Sequence, residues 1–196
     1  MLWGCLPVRH KVLVTGGTTR LGLAIAAHLR ECGWEVATSS HRPDSGADYI
    51  ADFRSEWQLP EFDAIVNNAG LFTGPDADIM AVNYLSPKRI IAEKLAKNVV
   101  NILDSRILGA SSEPAGAYCR SKWLLLHETL KFHDGVRVNA VAPGPVMAPT
   151  EVHEAAGPTP FGRPTPEAVA AAVRFLLEAD YISGAVIPVD GGQYLL

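Results

Sequence analysis

The chain is predicted to fold as a doubly wound, parallel α/β sheet with helices on both faces. Three observations predict it. Short β-branched and aliphatic runs alternate with stretches of helical spacing from one end to the other. A glycine-rich turn, Gly16-Gly17, stands between the first such run and the first helix. Residues suited to binding rather than packing follow the strands at Ser39 to Arg42, Asp52, Asn67 to Gly70, Asp104-Ser105 and Pro143-Gly144. In a parallel sheet those exits gather on one edge, where ligands bind.

Composition bounds the class. At 196 residues the chain fits a single domain of ordinary size, and 48% hydrophobic with 19% charged residues places it among soluble globular proteins. No apolar run approaches the roughly 20 residues of a membrane-spanning helix. A net charge of −4 with no basic run disfavours nucleic acid as a partner. Residues Met1 to Pro7 lack a basic leader and a long apolar stretch, so a cytoplasmic location is expected. Cys5, Cys32 and Cys119 are odd in number and widely spaced, and the six histidines show no paired-ligand spacing. Neither a disulfide framework nor a metal site is expected.

The elements follow in order. Val12 to Val14 is a buried strand, and a helix from about Arg20 to Cys32 stops at Gly33. Trp34 to Thr38 is the second strand, completing a right-handed βαβ unit. Asp48 to Asp52 is a short third strand, and Phe62 to Gly70 a fourth with an amide-rich, glycine-ended exit. Between Asp52 and Ile65 there is little room for a helix. Ile79 to Lys97 has near-helical apolar spacing with Pro87 as a kink or break, and Val99 to Leu103 is the fifth strand. Ala117 to Phe132 is an amphipathic helix, Val136 to Val141 a sixth strand, and Thr165-Pro166-Glu167 a capped helix start. Ala185 to Val189 is the last strand.

The exits carry the chemistry. The turn after the first strand aims a helix N-terminus at whatever lies above it, which suits a phosphate; an ordinary βα turn has the same short glycine motif. Where a fold using NAD would place an acid on the ribose 2′-hydroxyl, this chain has Ser40, His41 and Arg42. Those side chains suit a 2′-phosphate, and the cofactor implied is NADPH. Asp52 is placed to accept from an adenine amino group. Tyr118 and Lys122, four residues apart, share a helix face, and a nearby cation would lower the phenol pKa for proton transfer.

Thr15-Gly16 with Gly22, Asn67-Asn68-Ala69-Gly70, Asn83, Ser105 thirteen residues before Tyr118, Pro143-Gly144 and Val189-Asp190-Gly191-Gly192 resemble, in order and over nearly the whole chain, the short-chain dehydrogenase/reductase superfamily. The resemblance implies a single NAD(P)-binding domain of Rossmann type over residues 1–196. It implies Tyr118 as proton donor, Lys122 on the nicotinamide ribose, Ser105 orienting a substrate carbonyl and Asn83 supporting a relay water. The cofactor would lie along Gly16, Thr18, Arg20 and Leu21, then Asn68, Ala69 and Gly70, then Tyr118 and Lys122, then Pro143, Gly144 and Val146.

Arg20 stands where the family usually has glycine, and with Leu21-Gly22 and Ser40-His41-Arg42 it resembles the pteridine reductase branch. That branch replaces the serine with an aspartate, so either Asp104 or Ser105 is the matching residue. The segments from Asp52 to Asn67 and Gly70 to Asn83 are short for the family, and Pro145 to Ala148 lacks its usual threonine. The loop from Met147 to Thr165 is brief and proline-rich.

The expected function is NADPH-dependent reduction of a C=O or C=N bond in a small molecule, for which the branch resemblance implies a pterin. A specialised biosynthetic enzyme of this fold, or a cofactor-binding protein without turnover, are the alternatives. Family members pair through the helices around Asn83 to Lys97 and Tyr118 to Phe132, which implies a homodimer or homotetramer.

Overall fold

The first strand, β1 (Lys11–Thr15), lies inside the sheet, third from one edge. Val12, Leu13 and Val14 have no exposed surface there. β1 pairs in parallel with β2 (Glu35–Ser40) on one side and β4 (Phe62–Asn67) on the other. Beyond β2 comes β3 (Tyr49–Ile50); beyond β4 come β5 (Ala96–Ile102), β6 (Arg137–Pro143) and β7 (Val186–Val189). The order is β3-β2-β1-β4-β5-β6-β7, with every pairing parallel. The chain winds outward from β1 in one direction and then in the other, so the crevice between β1 and β4 is the topological switch point. This computed structural model describes residues 10–110, 112–147 and 159–196; the expectations for Met1 to Pro7, Cys5, His153 and most of the Met147 to Thr165 loop lie outside them.

Alternation along the strands assigns the two faces. Val12, Val14, Val66, Val100 and Val141 meet α1 (Arg20–Glu31) and α5 (Pro166–Glu178) in one core layer. Leu13, Ile65, Val99 and Val138 face the other way, toward α3 (Ser86–Ala92). Leu125 of α4 (Ala117–Thr129) packs on Ala140 and Ala142 of the same sheet. Strands covered on both faces read as continuous apolar runs, as Val12 to Val14 and Ala64 to Val66 do.

Several boundaries differ from expectation. The helix expected from Ile79 to Lys97 begins earlier, as α2 (Asp76–Met80), and continues through a π-helical turn (Ala81–Leu85) into α3. Pro87, in the first turn of α3, follows that turn directly and does not break the run. Lys94 at φ +54° ends it, and Ala96 then starts β5 by pairing with Phe62. β2 runs on to Ser40, so Ser39 and Ser40 are buried strand residues rather than loop. β3 is only two residues long.

The short segments behave as expected: no helix spans residues 51–61, and only α2 and the π-helical turn lie between Gly70 and Asn83. An edge-to-face pair, Phe53 and Trp57 at 5.1 Å, closes the core in the first gap, with the Arg89 guanidinium 4.2 Å from the Trp57 ring centre.

Candidate active site

The strand ends open into one groove of about 1060 Å³. It runs from Ser40, His41 and Arg42, past the glycine turn and Asn68 to Gly70, to Asp104, Tyr118 and Lys122, and on to Pro143, Gly144 and Val146. Every residue expected at the cofactor lines it, including Thr18, Arg20, Leu21 and Asp52.

Its floor is strapped together by Thr15 and Asn68. Thr15 Oγ1 accepts from the backbone N–H groups of Asn68 and Ala69, both at 3.0 Å, and the Asn68 amide donates to the carbonyls of Thr15 at 2.9 Å and Gly16 at 3.3 Å. Gly16 takes φ +63°, and a Cβ at Gly22 would run into the Gly16 carbonyl and the Asn68 amide. Glycine is required where helix, turn and β4 exit meet so closely. Arg20 opens α1 at φ +50°, a conformation that fits the family's usual glycine better than an arginine. No side chain caps α1 at Thr19, and no acid lies in its first turn. An uncapped twelve-residue helix above a glycine cradle fits the phosphates of a dinucleotide.

At the β2 end, His41 and Arg42 are exposed and the Arg42 N–H donates to Ser40 Oγ at 3.2 Å. Asp52, expected to accept from an adenine amino group, is held by Arg54. Arg54 donates through Nε to Oδ1 at 2.9 Å, through Nη2 to Oδ2 at 2.7 Å, and through its backbone N–H to Oδ1 at 3.0 Å. That arginine lowers the Asp52 carboxyl pKa to about 2, and its guanidinium joins the groove lining.

The same Asp-x-Arg clamp recurs after β5. Arg106 donates from its backbone N–H and Nε to Asp104 Oδ1, at 3.0 and 3.1 Å, and from Nη2 to Oδ2 at 3.0 Å. The Tyr118 hydroxyl donates to the same Oδ2 at 3.0 Å. Ser105, the other candidate, is 1% exposed in the 3₁₀ turn Ser105–Ile107, its Oγ has no hydrogen-bond partner among the described residues, and it does not line the groove. Of the two neighbours, Asp104 is the one brought to Tyr118.

Lys122 requires a correction. Its ammonium is buried and donates to the Ile102 carbonyl at 2.7 Å, and burial lowers its pKa to about 8 against the opposing charge of Asp104. It does not depress Tyr118. Burial and the Asp104 carboxylate instead push the phenol well above its usual value, and the opposing cation is Arg106, 5.6 Å from the ring centre.

Asn83 is wholly buried, and its side chain is taken up by the Leu71 N–H and carbonyl, each at 2.8 Å, and by Ser121 Oγ at 3.1 Å. It braces the groove wall against α4 and does not itself line the groove. Sequence reasoning missed Arg54, Arg106 and Phe72. The Asp-x-Arg spacing after a strand was the available signal for the arginines. Phe72, whose ring lies 4.7 Å from Tyr118, carried none.

Residues 41–193 match a protein family described as enoyl-(acyl carrier protein) reductase. The chain belongs to the short-chain dehydrogenase/reductase superfamily. Its fold is similar to that of FolM alternative dihydrofolate reductase 1 from Brucella suis, solved in complex with NADP, with a TM-score of 0.78 and 27% identity over 95% of this chain and 96% of that one. In sequence it is 32% identical to 2-(S)-hydroxypropyl-CoM dehydrogenase 3 of Xanthobacter autotrophicus, over 93% of this chain and 95% of the relative. It is 26% identical to a probable 2,4-dienoyl-CoA reductase of Bacillus subtilis, over 95% and 97%. As a short-chain dehydrogenase/reductase the protein is an oxidoreductase. Alignment with the Xanthobacter relative extends over 244 positions against 196 residues here, in keeping with the segments from which helices are missing.

Proposed function

We propose that the protein is an NADPH-dependent reductase of a C=N or C=O bond in a small, flat, pterin-like molecule. The observation that carries this reading is the Tyr118 hydroxyl held at 3.0 Å on Asp104, inside a groove whose far end presents His41 and Arg42. NADP in the FolM structure supports the same choice of cofactor.

In this reading the bound nicotinamide supplies the hydride. The chain's own residues do the rest. His41 and Arg42 hold the 2′-phosphate, and Lys122, fixed by the Ile102 carbonyl, reaches the ribose. Tyr118 keeps its proton at neutral pH, as a general acid must, and its hydroxyl gives up the hydrogen bond to Asp104 as it donates that proton to the nitrogen or oxygen that becomes electron-rich. Asp104, clamped by Arg106, orients that hydroxyl. A carboxylate accepts hydrogen bonds and donates none, so a ring N–H beside the reduced bond suits it better than a lone ketone oxygen. The half-exposed Phe72 ring beside Tyr118 offers a face to a flat substrate.

Fluorescence titration with NADPH and with NADH tests the groove, and nicotinamide absorbance with a dihydropterin or a small ketone tests the chemistry. NADPH should bind more tightly, a preference lost in Arg42→Ala. Tyr118→Phe should abolish reduction and spare binding. Absence of binding by either nucleotide, or undiminished turnover in Tyr118→Phe, would overturn the proposal.

A further inference from the structure

We propose that Arg163 is a specificity-determining residue that binds a carboxylate carried by the substrate away from the ring being reduced, an inference that rests on the reductase reading above. Arg163 lines the groove and makes no hydrogen bond or ion pair with any described residue.

Its place in the groove follows from close backbone packing. The Phe161 N–H donates to the Gly191 carbonyl at 3.0 Å, and a Cβ at Gly191 would meet the Gly162 carbonyl. The turn at Gly191 in turn stands on the end of β6: a Cβ at Gly144 would lie 2.7 Å from the Asp190 Cβ. Arg163 therefore follows a contact made at the end of β6, the neighbour of β5, whose exit carries Asp104. The Ser40 to Arg42 end lies four strand spacings away, about 19 Å at roughly 4.8 Å each. A guanidinium in this position cannot serve the 2′-phosphate and faces the substrate half.

Among the described residues, the acids at this end of the groove are already engaged. Asp104 accepts from Arg106 and Tyr118, and Asp190, 3% exposed, accepts from the N–H groups of Gly192 and Tyr194, both at 2.9 Å. Gln193, on the same turn, adds an amide to the groove wall beside Arg163. A planar fork of N–H donors beside an amide is suited to a carboxylate.

Calorimetric titration of the NADP⁺-loaded protein with folate and with folate dimethyl ester tests this, because the two share a ring system and differ in the charge of the tail. The wild type should bind folate roughly tenfold more tightly than the ester. Arg163→Ala should erase the difference by weakening folate alone, and Arg163→Lys should keep part of it. Equal affinities in the wild type, or equal weakening of both compounds in Arg163→Ala, would overturn the role of Arg163 and leave the pterin reading standing. Binding of neither compound would overturn the pterin reading, and this inference with it.

Discussion

At the scale of single residues, the site turns on which of two neighbours meets Tyr118. Asp104→Ala removes the acceptor that orients the phenol and should lower kcat by about a hundredfold. Ser105→Ala alters a hydroxyl with no partner and should leave turnover within about twofold of wild type. Steady-state rates with a dihydropterin check both, and a large loss in Ser105→Ala alone would reverse the assignment.

Lys122 sets a pH dependence. Its folded pKa of about 8 lies below the ordinary 10.5 because burial penalises the ammonium. If the charged form serves the ribose, kcat/KM should fall as pH rises through about 8, and Lys122→Arg should move that limb out of range. Stability runs the opposite way. Below pH 8 folded and unfolded chains both hold the proton and the burial cost is fully present. Between 8 and 10.5 the unfolded chain holds more protons, so stability rises with pH. Denaturant unfolding of wild type against Lys122→Met, on either side of that window, should show the difference between them shifting in favour of wild type.

At the scale of elements, the glycine turn and α1 form one unit because Gly22 allows the helix to touch Gly16 and Asn68. Gly22→Ala forces a methyl into backbone and should cost about 2 kcal/mol of stability and weaken nucleotide binding together. Thr165, whose Oγ1 accepts from the Ala168 N–H at 3.2 Å, caps α5 on the face of the sheet. Thr165→Ala should cost about 1 kcal/mol and leave nucleotide affinity unchanged. Thermal melts and NADPH titration of the two variants distinguish a turn that binds from a cap that only stabilises.

At the scale of the whole molecule, three exposed apolar residues flank the helices expected to associate. Leu85 is 52% exposed before α3, while Leu130 and Phe132 follow α4 at 55% and 90%. Sedimentation at micromolar concentration should give the mass of a dimer or tetramer; a monomer there would remove the proposed association. Among the described residues no helix is long and apolar enough to cross a membrane.

Strand and helix order, the glycine turn and the gathering of polar exits on one edge were legible in the sequence. They depend on local periodicity and on the parallel connection rule, both of which neighbouring residues express. Ends of elements were less so: Lys94 stops a helix through a backbone angle, and β2 reaches Ser40 through pairing with β1 and β3, neither of which local composition records.

The sequence by itself determined the superfamily, the identity of Tyr118 and Lys122 and the cationic ending of the second strand, because those depend on residue type at fixed spacing. Only the tertiary structure shows that Asp104, and not Ser105, meets the Tyr118 hydroxyl. Adjacent residues at a strand end point to different sides, and which one faces the groove depends on how β5 is anchored to β6, where the Leu103 N–H reaches the Val141 carbonyl at 2.8 Å. It alone also decided that Lys122 turns to the Ile102 carbonyl and that Arg106 stands beside Tyr118, since burial and side-chain direction come from packing that spacing cannot express.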